Sequence, residues 1–84
     1  MIYLYILYSK KIDKYYVGIS KNPEQRLRYH NLGKKGWTKR GIQWVLVFQK
    51  AYSEKSEVLK IEKYIKKQKS KKFIYKIIIG EYML

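Results

Sequence analysis

The chain has 84 residues, of which 46% are hydrophobic and 31% are charged, and this size and composition predict one small globular domain spanning residues 1–84. It contains no cysteine, which excludes a disulfide scaffold and a cysteine-based zinc site and fits a reducing, cytoplasmic location. No apolar run approaches the roughly 20 residues that a helix needs to cross a bilayer.

Positive charge dominates the composition. Lysine and arginine together number 20 against 6 acidic residues, a formal net charge of +14. A field of that sign attracts polyanions. The lysines are spread along the chain instead of lying on one face of a long amphipathic helix, which disfavours a membrane surface as the partner. The composition therefore predicts binding to nucleic acid.

Two strands open the chain. Residues 2–9 alternate and are rich in aromatic side chains, and residues 15–19 are rich in β-branched and aromatic ones, so the two segments predict an antiparallel hairpin. Gly18, near the end of the second strand, indicates a close backbone approach or an unusual dihedral angle. The hairpin would bring Tyr5 and Tyr16 together. In a chain with ten tyrosines, such a pair by itself is best explained by packing.

A helix is predicted from Pro23 to about Leu32. Asn22 is a favoured N-cap, proline suits the first helical position, and Gly33 suits the left-handed C-terminal cap. Arg26 and His30 are four residues apart and share one face of this helix. By residue type alone, they are more simply a solvated charge and a polar helix residue than parts of a site.

A basic loop follows the helix, with Trp37 placed among cations. These are Lys34, Lys35, Lys39 and Arg40. An aromatic side chain among cations can stack on a base while the cations bind phosphates. A surface loop with Trp37 packed onto the core explains the pattern equally well, and both interpretations stay open.

The apolar run from Trp44 to Phe48 predicts a third strand, which we expect to be the central and most buried one. With the hairpin it would form a small three-stranded antiparallel sheet flanked by helices. The predicted fold class is thus α+β, similar to an α/β sandwich.

A second helix is predicted to begin at Ser53 as its N-cap. Its apolar stripe is formed by Val58, Ile61 and Ile65, and Glu62 falls on the same face by helical spacing. A buried carboxylate must neutralise, pair with a cation or bind a metal. Without further information, pairing with a lysine such as Lys66 is the favoured explanation.

The C-terminal part starts with a basic linker at residues 66–72. Residues 71–79 carry apolar side chains that fit either a short third helix or a further strand, and their β-branched content favours the strand. The two alternatives stay open on the residues themselves.

Several of these positions together resemble the GIY-YIG nuclease superfamily. The ordered set is Tyr3-Leu4-Tyr5, then Tyr16-Val17-Gly18, then Arg26 eight residues past the glycine, then His30-Asn31. The chain is most similar to small stand-alone bacterial members, which are themselves similar to the nuclease domain that makes the 3′ incision in excision repair. The resemblance extends from Ile2 to about Ile74 and favours a helix over residues 71–79.

The resemblance implies a role for each matching residue. It implies that Tyr5 is the general base and that Tyr16 lies beside it. It implies that Arg26 contacts the scissile phosphate and that His30 assists proton transfer. Glu62 would then bind the single divalent metal, Mg²⁺ or Mn²⁺. A tyrosine works as a base only if its pKa is lowered from about 10, and Arg26 and the metal are expected to lower it. The first triplet departs from the family pattern, since Tyr3 replaces its glycine and Leu4 its middle residue. The tyrosine that carries the chemistry is retained.

The hypothesis from the sequence is therefore a metal-dependent DNA endonuclease, acting on branched, damaged or single-stranded DNA in a repair setting. A short chain leaves little room for a sequence-reading element, so a protein partner that supplies specificity belongs to the hypothesis. The alternative is a non-catalytic nucleic-acid-binding module on the same fold. The choice between DNA and RNA is left open.

Overall fold

The computed structural model describes residues 1–33, 40 and 43–84. In chain order its elements are β1 (Ile2–Ser9), β2 (Lys14–Ser20), α1 (Pro23–Leu32), β3 (Val45–Tyr52), α2 (Lys55–Gln68) and α3 (Lys71–Ile78). The strands form one antiparallel sheet in the order β2-β1-β3. The predicted α+β class and the three-stranded sheet are thus confirmed. Within the described ranges, no helix is both long and apolar enough to cross a membrane.

The central strand is β1, so the prediction that residues 44–48 form the centre of the sheet is wrong. The side chains from Leu4 to Leu7 are at most 1% exposed. Because successive side chains of a strand point to opposite faces, a fully buried run requires that both faces be covered. By contrast, β3 pairs with β1 alone and forms an edge, and its Val45 is 52% exposed.

Two apolar clusters cover the two faces of β1. Leu4 and Ile6 pack in a cluster that includes Val58 and Ile65 of α2 and Ile77 of α3. Tyr5 and Leu7 pack in a second cluster, with Trp44 at its centre and Leu27 of α1 against it. The helices therefore lie on opposite faces of the sheet, α2 and α3 on one side and α1 on the other.

The ends of α1 follow the local rules read from the sequence. The Asn22 side chain accepts a hydrogen bond from the Gln25 amide at 3.2 Å, and Pro23 occupies the first turn. Gly33 has φ 65°, in the left-handed region, and its amide donates to the His30 carbonyl at 3.3 Å. These caps fix which side chains of α1 point back at the sheet.

The C-terminal half differs from the prediction at its boundaries. Glu54, not Ser53, is the N-cap of α2, and it makes no side-chain capping bond. The helix continues to Gln68, so most of the predicted linker at residues 66–72 is helical. Residues 71–78 form a helix, because the Ser70 hydroxyl accepts from the Phe73 amide at 3.0 Å and an amphipathic face buries Ile77.

Candidate active site

The structure brings the five predicted catalytic residues into one neighbourhood. They come from four elements: Tyr5 from β1, Tyr16 from β2, Arg26 and His30 from α1, and Glu62 from α2. Contacts between side chains connect them, and each is described below.

Tyr5 and His30 form the buried part of the site. Tyr5 is 1% exposed and His30 is 4% exposed, and the Tyr5 hydroxyl lies 3.3 Å from His30 Nε2. This contact is a hydrogen bond whose direction depends on the tautomer of His30. It holds the hydroxyl of a core tyrosine against the one histidine of the chain.

Tyr16 lies across from these two residues. Its ring centroid is 4.6 Å from that of His30 and 6.3 Å from that of Tyr5. The edge of Trp44 faces the Tyr16 ring at 6.4 Å. Tyr16 is thus held by aromatic neighbours at the border between the core and solvent.

Arg26 supplies the positive charge of the site. Its guanidinium carbon lies 4.5 Å from the centre of the Tyr29 ring, a cation–π contact that restrains the side chain. The guanidinium also acts on the Tyr5 hydroxyl through a hydrogen bond and through its charge. Arg26 is half-buried, so it can meet an anion from solvent while contacting Tyr5.

The pKa of Tyr5 corrects one expectation. Burial raises the pKa of the Tyr5 phenol above its ordinary value of 10, and this effect outweighs the lowering by the hydrogen bond and charge of Arg26; the nearby Tyr16 and Glu62 raise it further. In the protein alone, Arg26 thus acts in the expected direction but does not bring the pKa of Tyr5 below 10, because burial destabilises the phenolate more than one cation stabilises it. The lowering expected from a metal stays a prediction.

The pKa of His30 is shifted in the opposite direction. Burial lowers the pKa of the imidazole below 6.5, and the charge of Arg26 lowers it further. At neutral pH the site thus pairs a protonated phenol with a neutral imidazole, whose unprotonated ring nitrogen is able to accept a proton.

Glu62 lies at the edge of the site and is paired with a lysine. Its side chain is 17% exposed, and Oε2 lies 3.1 Å from Lys66 Nζ. Lys66 in turn lies 5.9 Å from the centre of the Tyr16 ring. The pairing that residue pattern alone favoured is therefore present, and it places the carboxylate next to the tyrosines.

Glu62 fits the chemistry of a Mg²⁺ or Mn²⁺ ligand. Magnesium prefers oxygen ligands and is commonly held by one or two carboxylates with several waters retained. Glu62 offers such a carboxylate, partly exposed and paired with a cation that an incoming metal would displace. Among the described residues no group of three or more His, Cys, Asp or Glu side chains could hold a metal ion.

Two structural residues of the site had little signal in the sequence. Asn31 binds the start of β3: its Oδ1 accepts from the Trp44 amide at 2.6 Å and the Gln43 amide at 3.0 Å, and its Nδ2 donates to the Trp44 carbonyl at 3.0 Å. Trp44, predicted as a strand residue, lies just before β3 and packs near Tyr16. The sequence identifies Asn31 only through the His-Asn pattern, because its hydrogen-bond partners are 12 and 13 residues away.

The predicted basic loop falls largely outside the described residues. Lys34, Lys35, Trp37 and Lys39 belong to that part, and Arg40 is described and exposed. The described residues on either side of the loop, Asn31 and Trp44, both border the site.

The comparison with protein families gives an independent identification. Residues 1–76 match the family model of the GIY-YIG catalytic domain. The searches of curated proteins and of solved structures gave no match. A match over nearly the whole chain, on a three-stranded sheet with three helices, establishes that this protein belongs to the GIY-YIG nuclease superfamily, and membership of that superfamily implies nuclease activity.

Proposed function

We propose that this protein is a divalent-metal-dependent DNA endonuclease that hydrolyses phosphodiester bonds. The observation that carries the proposal is the buried Tyr5 hydroxyl, which lies 3.3 Å from His30 Nε2 and interacts with the half-buried Arg26. A proton acceptor and a fixed cation at one hydroxyl are what attack on a phosphodiester requires.

Arg26 has the role of stabilising the phosphate. Hydrolysis builds negative charge on the phosphoryl oxygens, and a preorganised cation in a partly dry site stabilises that charge more than water does. The planar guanidinium suits two phosphate oxygens at once, and the Tyr29 ring restrains it before substrate arrives. We expect Arg26 to bind the scissile phosphate.

Tyr5 and His30 form the proposed proton path. As the attacking water gives a proton to Tyr5 Oη, the phenol gives its own proton to His30 Nε2. The oxygen of the resulting hydroxide forms a bond to phosphorus while the bond between phosphorus and the leaving oxygen breaks, and the leaving oxygen takes a proton from solvent. This path needs the tautomer in which Nδ1 carries the ring proton of His30. It lets Tyr5 act as the general base without a free phenolate, in agreement with its raised pKa and the lowered pKa of His30.

Glu62 is the residue that would hold the metal. A bound Mg²⁺ or Mn²⁺ would supply Lewis-acid stabilisation of developing negative charge. In the protein alone, Lys66 Nζ lies 3.1 Å from Glu62 Oε2.

The substrate and setting are also proposals. DNA is proposed as the target because of the resemblance described above, with branched, damaged or single-stranded forms as the candidates and repair as the setting. Residues of the predicted basic loop are proposed to contact the DNA: Lys34, Lys35, Trp37, Lys39 and Arg40. A protein partner is proposed to add specificity. A non-catalytic module that binds nucleic acid remains the alternative, and the Glu62–Lys66 ion pair is the observation that favours it.

The test is cleavage of labelled single-stranded DNA, duplex DNA, a branched junction and RNA at low salt, with Mg²⁺, Mn²⁺ or EDTA. Tyr5→Phe is expected to lower the rate by about 10²–10⁴-fold, the usual contribution of a general base. Tyr8→Phe is the matched control, because Tyr8 lies on the same strand and its hydroxyl donates to Asp13 at 2.6 Å. Its rate is expected to match wild type.

Metal dependence has its own pair of variants. Glu62→Gln is expected to abolish metal-dependent cleavage, whereas Glu57→Gln, an exposed change in the first turn of the same helix, is expected to leave it intact. Equal cleavage by wild type, Tyr5→Phe and Glu62→Gln would contradict the proposed site. Tight binding of DNA without cleavage in either metal would support the non-catalytic alternative.

A further inference from the structure

A groove runs beside the proposed active site along the outer edge of β2. Its volume is about 490 Å³, and it extends to the corner between α2 and α3. Tyr16 and Lys66 line the groove and also contact residues of the site. The groove and the site are therefore continuous.

The lining of the groove is strongly basic. Lys14, Lys66, Lys69 and Lys71 line it, and none of its described lining residues is acidic. Lys66 is paired with Glu62 and Lys71 with Asp13. Among the described residues, Lys14 and Lys69 make no salt bridge, although the charge of Lys14 also acts on Asp13. These two exposed cations can therefore meet an anion in the groove.

The floor of the groove is apolar. Val17, Ile65 and Ile74 line it together with Tyr15 and Tyr16. Cations above an apolar and aromatic floor form a surface suited to a polyanion that also has apolar parts, as a nucleic-acid strand does.

The backbone of Lys69 adds a second observation. Lys69 ends α2 with φ 49°, in the left-handed region, where glycine or asparagine is the usual residue. Non-glycine residues in this region are strained and occur often at binding sites. Here Lys69 itself forms the left-handed cap, its amide donating to the Lys66 carbonyl at 3.3 Å, and it also places a cation at the groove.

We infer that this groove binds the sugar–phosphate backbone of the DNA strand where it continues away from the scissile phosphate, with Lys14 and Lys69 as its phosphate contacts. The inference rests on the proposed function for the position of the scissile phosphate. Contacts of this kind fix the register of the strand and are independent of its sequence.

The test is binding of a fluorescently labelled DNA strand, measured by anisotropy in EDTA over a range of salt concentrations. The test variant is Lys14→Gln with Lys69→Gln. The control is Lys60→Gln with Lys63→Gln, which removes the same charge from exposed residues of α2 that do not line the groove. Each phosphate contact contributes roughly 0.9 to the slope of log affinity against log salt on duplex DNA and about 0.7 on single strands. The test variant removes two such contacts and should lose about 1.8 of slope on duplex DNA and about 1.4 on a single strand, whereas the control should keep nearly all of its slope.

A second variant separates loss of binding from loss of folding. Lys69→Gly removes the charge and relieves the left-handed backbone, so it should raise the urea midpoint of unfolding while weakening DNA binding. Equal slopes for the test and control variants, or unchanged binding by Lys69→Gly, would overturn the inference. Because EDTA stops metal-dependent cleavage, the binding measurement is independent of the cleavage test. If the groove variants bind normally while the protein cleaves DNA, the inference about the groove fails and the proposed function stands. If the groove variants bind weakly but the protein cleaves nothing, the proposed function fails and the groove still binds DNA.

Discussion

The Tyr5 phenol occupies the space that a side chain at position 18 would need. Gly18 is directly opposite Tyr5 in the β1–β2 pair, and a Cβ at Gly18 would lie 2.6 Å from Tyr5 Oη and 2.7 Å from Cζ. The glycine therefore lets the ring lie flat against the backbone of β2, with its hydroxyl at His30. The close approach predicted from Gly18 is confirmed, and its partner is the proposed general base.

Gly18→Ala should consequently disturb both stability and catalysis. Tyr5 is fully enclosed, so the added methyl group overpacks the site and should lower the free energy of unfolding by about 1–3 kcal/mol, measured by urea denaturation. In a Tyr5→Leu background the clashing ring atoms are absent, and the same change should cost much less. An equal cost in both backgrounds would show that the methyl group does not meet the ring.

The buried imidazole should make stability depend on pH. Because the pKa of His30 is lowered by burial and by Arg26, the unfolded chain binds the proton first as the pH falls below about 6.5. The stabilisation is thus fully present above pH 7 and is lost as the pH falls toward the folded pKa, at no more than about 1.4 kcal/mol per pH unit. Urea unfolding between pH 7.5 and 5.5 measures this slope. His30→Gln should reduce the dependence of the free energy of unfolding on pH. An unchanged slope in this variant would mean that a group other than His30 causes the pH dependence.

Lys66 should compete with a metal for Glu62. Its side chain is 53% exposed, and exposed ion pairs contribute about 0.2–1 kcal/mol, so Lys66→Gln should tighten Mn²⁺ binding by up to about fivefold. Electron paramagnetic resonance of free Mn²⁺, without DNA, measures the affinity directly. Lys67→Gln, one residue along the same helix, is the control. Equal Mn²⁺ affinities for the two variants would mean that Lys66 does not compete with the metal for Glu62.

Local signals predicted the first half of the fold well. The cap at Asn22, the proline at the first helical position and the left-handed Gly33 act within a few residues, so α1 could be placed from the sequence to its last residue. The hairpin that aligns Tyr5 with Gly18 follows from strand pattern and loop length in the same way.

Which strand is central could not be read from local pattern. Residues 2–7 and 44–48 are both apolar runs, and either could be buried on both faces. The order is decided by where the helices pack: α1 covers Tyr5 and Leu7 while α2 and α3 cover Leu4 and Ile6. That information lies in contacts between residues far apart in the chain.

The site, like the fold, could be predicted from the sequence only where neighbouring residues determine it. Spacing on one helix put Arg26 and His30 on a common face, but the contact of both with Tyr5 and the approach of Glu62 from α2 depend on tertiary packing. Only the family resemblance predicts that these residues lie together. The sequence does not predict the raised pKa of Tyr5, because no short motif determines how deeply a side chain is buried.

The hydrogen bonds of Asn31 have a consequence for how the protein can be altered. Its side chain joins the end of α1 to the Gln43 and Trp44 backbone, so the intervening segment is closed at its base by residues outside it. Lengthening a chain segment whose two ends are held together costs only about 0.6 kcal/mol per doubling of its length. Residues inserted or exchanged between Asn31 and Gln43 should therefore leave the contacts among the site residues unchanged. This segment is a suitable place to introduce residues that change which nucleic acid the protein prefers.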